Sequence, residues 1–248
     1  MQININSIVS FKQNYNNKKS YNTYPNLAPL NKDTVSFGLN NNKHSQNITT
    51  PTTVEEFKKN LNKPVDKATT EEIFNALNLD YEKDEKDNLI ILNTDYQPGN
   101  YFDWKDLDID ENKLFKDIKE IKGEAYFGES NASNLGNLEM IGENASFYES
   151  PVTNLGNLKV IGGDADFFGS PLSNLGNLKN IKGNADFNNS NITGLSNLET
   201  IEGNAYFDYS PVIDLGKLKQ VHGDVLLKHS KLLKSDFNNV EVKGEIIQ

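Results

Sequence analysis

From residue 121 onward, apolar and polar positions fall on a fixed frame of twenty. Ile121, Ile141, Ile161, Ile181, Ile201 and Val221 keep this step, as do Ala125, Ala145, Ala165, Ala185, Ala205 and Val225. Phe127, Phe147, Phe167, Phe187, Phe207 and Leu227 follow, with Leu138, Leu158, Leu178, Leu198 and Leu218 behind them. One coil of this length cannot bury its own apolar face, but stacked coils bury each other's, so the period predicts a solenoid. Within a coil, Ala165-Asp166-Phe167-Phe168 alternates inward and outward as a strand does. Gly163, Gly183, Gly203 and Gly223 open that strand from a tight turn. Leu172, Leu175, Leu178 and Ile181 recur every three residues, which suits an extended or 3₁₀-like return path. Equivalent strands then pair in parallel, about 4.8 Å apart, as a sheet on one face. The last coil, VEVKGEIIQ, slips by one residue, placing Val242 against Val221.

The chain before the repeat divides in two. Residues 51–100 read as a small helical cap with one strand. Thr53-x-x-Glu56 and Thr69-x-x-Glu72 match the capping box, with Val54, Phe57 and Leu61 on one helical face and Ile73, Ala76 and Leu77 on another. Pro64 punctuates between the helices, NLIILN (88–93) reads as a buried strand and QPGN (97–100) as a turn. Residues 1–50 are rich in Asn, Ser, Thr and Tyr without a sustained period, and read as a disordered tail. Apolar islands at Ile3, Ile5, Ile8, Val9 and Phe11, and at Val35, Phe37 and Leu39, are candidate docking motifs within it.

The coil at 161–180 resembles the leucine-rich repeat, whose core runs L-x-L-x-x-N-x-L. Ala165, Phe167, Ser170 and Leu172 take the matching positions, with Leu175 and Leu178 behind them. Leu107, Ile109, Asn112 and Leu114 match the pattern outright. The resemblance covers roughly residues 105–248 and implies a leucine-rich-repeat-like solenoid over 101–248; a right-handed β-helix is the alternative. An unstructured polar start, a helical cap and twenty-residue coils are together similar to bacterial effectors delivered into host cells. That likeness implies a tail acting as an export signal.

Composition narrows the chemistry. The chain has no cysteine, which excludes disulfides, thiolate metal sites and cysteine nucleophiles. Residues 1–50 carry Lys12, Lys18, Lys19, Lys32 and Lys43 against Asp33, a charge of +4. Since the whole chain is −10, the remainder holds −14. An acidic body whose basic residues are all lysine lacks the guanidinium fork suited to phosphates and guanine edges, which disfavours nucleic acid. No apolar run is long enough for a membrane span, and the start MQININSIVSFKQNYNNKK has no apolar core of a signal peptide. The expected location is cytoplasmic, with export by a route lacking a cleaved signal as the alternative.

Columns that vary between coils are where function has room. One runs Tyr126, Ser146, Asp166, Asp186, Tyr206, Leu226, and its neighbour Gly128, Tyr148, Phe168, Asn188, Asp208, Lys228. Tyr126, Tyr148, Asp166, Phe168, Asp186, Tyr206 and Asp208 are the candidate partner-binding residues. Aromatics beside carboxylates on rigid strands suit a protein with a basic, partly apolar surface. A carbohydrate ligand is a weaker option. Asp164, Asn184, Asn204 and Asp224 precede the strands and read as turn residues rather than a calcium site. Ser130, Ser150, Ser170, Ser190, Ser210 and Ser230 have no adjacent base and read as a turn ladder rather than nucleophiles. His44, His222 and His229 have no metal-ligand spacing. The expectation is a non-enzymatic interaction module without metal or cofactor. The last strand edge offers a route to self-association, as in a structural scaffold.

Overall fold

The computed structural model describes residues 53–91, 107–128 and 130–248. The tail, the turn at 97–100 and residues 92–93 lie outside them.

Two capped helices begin the described chain. Helix α1 (Val54–Leu61) starts where Thr53 Oγ1 accepts the Glu56 N–H, and it buries Phe57 and Leu61. Helix α2 (Thr70–Leu77) has the full reciprocal box: the Glu72 N–H donates to Thr69 Oγ1 and the Thr69 N–H to Glu72 Oε2. Asn62 and Asn78 close the two helices at φ 54° and 56°, in the left-handed region that Asn tolerates. A hairpin follows, β1 (Tyr81–Lys83) antiparallel to β2 (Leu89–Ile91). Asp84 shapes its turn, accepting the Lys86 and Asn88 N–H groups on Oδ1 and pairing with Lys119 at 3.1 Å. Bonds from the Asn88 side chain and main chain, with Lys119 beside them, hold this carboxyl far below the usual carboxylate range. Leu89–Ile91 pairs in parallel with β3 (Ile118–Ile121), so the cap and the coils share one sheet.

From there the chain is a parallel-strand β-solenoid. Each coil contributes two short strands to two sheets, one of nine strands that includes the hairpin and one of seven. In the coil at 160–166 these are Val160–Ile161 and Ala165–Asp166. The second sheet is the one expected; the first adds a ladder along the return path. Asn134↔Asn154, Asn174↔Gly194 and Gly194↔Asp214 bridge the coils on a further side. Register steps by twenty throughout, until Val221 meets Val242 and Val225 meets Ile246. The extra residue is absorbed at the 3₁₀ turn Lys234–Phe237.

The interior is a set of columns. Phe127, Phe147, Phe167, Phe187 and Phe207 stack with ring centroids 5.0–5.4 Å apart and planes within 15°. Tilted rings close both ends: Phe115 on Phe127 at 6.0 Å, and Phe237 on Phe207 at 6.3 Å. A turn follows each aromatic, with the Ser170 N–H donating to Phe167 O and Ser170 Oγ accepting the Leu172 N–H. Ser130, Ser150, Ser190, Ser210 and Ser230 accept the same i+2 amide. The column is thus a staple within each coil.

Between coils the staple is an Asn/Asp ladder. Asn144, Asp164, Asn184 and Asn204 each accept, on Oδ1, the main-chain N–H of the equivalent residue one coil on, at 2.7–2.8 Å. Asp224 does the same for Glu245 at 2.8 Å. This is the structural role of the residues weighed above as calcium ligands. The ladder also explains the glycines: a Cβ on Gly163 or Gly183 would stand 2.3 Å from the Oδ1 of Asn144 or Asp164. Glu143 replaces glycine at the coil whose predecessor carries Glu124, and there Asn144 Nδ2 donates to Glu124 Oε1 instead.

Candidate interaction face on the second sheet

The strands of the second sheet are two residues long, which settles where the variable columns lie. Ala165 and Ala185 point into the core, while Asp166 and Asp186 point out. The neighbouring column, Tyr148, Phe168, Asn188 and Asp208, heads the turn just after the strand. Here the Ser190 N–H returns to Phe187 O, and Asn189 takes a left-handed φ of 50°.

The structure brings the aromatic and acidic candidates together. Asp166 and Asp186 are direct register partners on adjacent strands. Each folds an oxygen back on its own turn: Asp166 Oδ1 accepts the Phe168 N–H at 3.0 Å, and Asp186 Oδ1 the Asn188 N–H at 2.9 Å. The Tyr148 and Phe168 rings stack across coils, centroids 5.8 Å apart and planes at 25°. The Tyr148 hydroxyl donates to Glu149 Oε1 at 2.9 Å, and burial, with that carboxylate, raises its pKa. Tyr126 is half-buried one coil before Ser146 and donates its hydroxyl to Glu124 Oε2.

Two candidates are not open surface. Tyr206 is 4% exposed and Asp208 2%. The Tyr206 hydroxyl accepts from Asn204 Nδ2 at 3.0 Å; burial raises its pKa, against that bond and with the nearby Asp186. Asp208 Oδ1 accepts the Lys228 N–H at 2.7 Å. Alternation shows which side a residue takes, and says nothing of what its neighbours leave uncovered.

Asn188 was not among the candidates. It is 3% exposed and its Oδ1 has no hydrogen-bond partner, the one such side-chain atom among the described residues. The sequence signal was faint: an Asn in the column where its neighbours are Phe168 and Asp208.

Elsewhere, His229 lies against Tyr209 with centroids 4.6 Å apart. Among the described residues, no group of three or more carboxylate or imidazole side chains is placed to hold a metal ion. No described helix is long and apolar enough to cross a membrane. Comparison with protein-family models, with curated proteins and with solved structures gives no match to this chain.

Proposed function

We propose that this chain is a non-enzymatic binding protein that holds a partner protein on the outer face of its second sheet. The observation that carries the reading is the pairing of Asp166 with Asp186, beside the stacked Tyr148 and Phe168. Paired positions on adjacent strands stand about 5 Å apart. Acidic side chains on adjacent strands suit a basic surface on the partner, and the stacked rings offer an apolar anchor next to them. The scaffold is rigid, stapled within coils by serine and between coils by Asn/Asp, so little ordering entropy is lost when the face is covered. The twenty-residue period and the buried Leu and Ile columns support kinship with leucine-rich-repeat proteins. The second ladder on the return path sets this chain apart within that kinship.

The test is a capture from lysate with the full chain as bait, beside a variant carrying Tyr148→Ala, Phe168→Ala and Asp186→Asn. These three sites avoid the buried Tyr206 and Asp208. A partner retained by the native chain and lost by a variant with an unchanged melting curve supports the face. Equal recovery by both overturns it.

A further inference from the structure

Among the described residues the large hydrophobic side chains left exposed are Tyr209, Ile213, Leu233 and Ile247, and the first three bracket one edge of the solenoid. Tyr209 precedes and Ile213 follows the turn in which Ser210 Oγ accepts the Val212 N–H. Ser230 makes the same turn one coil on, with His229 before it and Leu233 after it. Ile213 and Leu233 thus share a column, as do Tyr209 and His229, whose rings lie 4.6 Å apart. Four residues span at most about 14 Å, so both columns fall within one small patch. Coil geometry does not ask for these side chains. The column of Ile213 holds Ser133, Thr153, Ser173 and Thr193 in earlier coils. That of Tyr209 takes a left-handed φ, 65° at Gly169 and 50° at Asn189, residues that accept it readily; Tyr209 holds it at 53°. A bulky residue there is strained, and a strained, exposed aromatic points to a role outside the fold.

Charge at this edge is opposite to that of the acidic body. Residues 227–235 hold Lys228, Lys231 and Lys234 and no carboxylate, and no earlier coil has lysine in these three columns. All three are exposed, and none forms an ion pair with a described carboxylate. Asp214 and Asp236 turn onto the N–H groups of Gly216 and Leu233, at 2.8 Å each, and Asp208 is buried.

We infer that this edge rests on the surface of an anionic lipid bilayer, with Tyr209, Ile213 and Leu233 entering the headgroup layer and the three lysines set against the lipid charges. A bilayer fits better than an acidic protein. Side chains 57%, 66% and 52% exposed project from the surface; a protein needs a recess shaped for each, whereas lipid conforms to them. Lysine is a compact, hydrated charge without arginine's fork, which suits a diffuse negative surface rather than fixed carboxylates. Tyrosine, apolar in its body and polar at its tip, belongs at such an interface. The inference goes beyond the partner-binding face and does not depend on it.

The test is co-sedimentation of the full chain with phosphatidylcholine vesicles, alone or with phosphatidylserine as about a third of the lipid. Binding to the mixed vesicles, falling as salt rises and absent on phosphatidylcholine alone, is the expected result. Replacing Lys228, Lys231 and Lys234 together by Gln should weaken it about a hundredfold. Ile213→Thr with Leu233→Ser should weaken it about tenfold or more. Tyr209→Asn should bind less tightly yet melt no lower than the native chain, because Asn189 holds the same turn. None of these substitutions touches Tyr148, Phe168 or Asp186, so capture through that face is expected to persist in all three variants. The basic tail is present in each as well, so binding that it supplies alone survives every substitution. Undiminished vesicle binding by any of the three variants overturns the inference, as does equal binding to both kinds of vesicle or none to either. Poly-glutamate and sedimentation of the lipid-free chain identify the other occupants. Poly-glutamate binding or self-association that the variants lose, with vesicles left unbound, assigns the edge to an acidic protein or to a second copy of this chain.

Discussion

Asn144 Oδ1 accepts the Asp164 N–H at 2.8 Å and lies 2.3 Å from where a Cβ on Gly163 would be. The bond between coils and the glycine are thus one feature. Gly163→Ala must displace that oxygen, with main-chain atoms of Glu143 and Asn144 3.0 Å away on the same side. Overpacking of this kind costs about 1–3 kcal/mol. Urea unfolding should show that loss for Gly163→Ala, and a smaller additional loss for Gly163→Ala placed in an Asn144→Ala background. Additive losses would show that the two residues act independently.

The aromatic column should be the largest single contributor to stability. Phe187 is fully buried between Phe167 and Phe207, at 5.4 and 5.0 Å. Truncation to alanine removes its buried surface and leaves a cavity flanked by two rings, a change worth about 3–5 kcal/mol. Phe187→Leu should lose less, since Leu227 already occupies this column and is buried. Denaturant titration of both variants checks the order. An alanine variant as stable as the leucine one would show that the stack collapses around the gap.

Much of this scaffold was legible from periodicity. The twenty-residue step located the core columns, the second sheet and the slip at Val242, and the Thr-x-x-Glu patterns located both helix starts. What escaped has physical causes. Strand β1 is Tyr81-Glu82-Lys83, half-buried to exposed, and its pairing with β2 draws on the Asp84 turn rather than on an apolar pattern. Beyond β3, the first-sheet strands are two residues long, too short for alternation to appear. Phe237 closes the stack from an irregular coil, off the frame that marks the other rings. At the candidate face, the pattern assigned sides correctly for Asp166 and Asp186 but could not anticipate the burial of Tyr206, Asp208 and Asn188. That burial depends on neighbours in space.

Acid should weaken the cap through Asp84. Its folded-state pKa lies below the unfolded value of about 3.9. A depressed carboxyl contributes stability above the unfolded pKa and loses it as pH falls toward the folded one. The contribution should therefore be intact at neutral pH and decline below about pH 4. Asp84→Asn lacks the titration, so its stability should depend less on pH over that range than the native chain's. Melting curves from pH 7 to pH 2.5 make the comparison. Parallel acid limbs in the two proteins would show that other carboxyls account for the loss.

Glu111 joins the short helix α3 (Glu111–Leu114) to the first coils, and it is fully buried. Its Oε2 accepts from Ser130 Oγ and its Oε1 from the Asn131 N–H, while its own N–H donates to Asn131 Oδ1 at 3.1 Å. Glu111→Ala leaves a buried hydroxyl and an amide without their acceptor. A buried hydrogen bond contributes about 0.5–1.5 kcal/mol, and each stranded donor adds a desolvation penalty of about 1–3 kcal/mol. Glu111→Gln keeps the shape and one acceptor, so its loss should be about half as large. The effect should also be local. Hydrogen exchange is expected to quicken over residues 107–135 in Glu111→Ala, while amides of the coils beyond Phe187 stay protected, because each coil is held chiefly by its neighbours. Uniform acceleration along the chain would mean that the solenoid opens as one unit, and that Glu111 supports the whole stack.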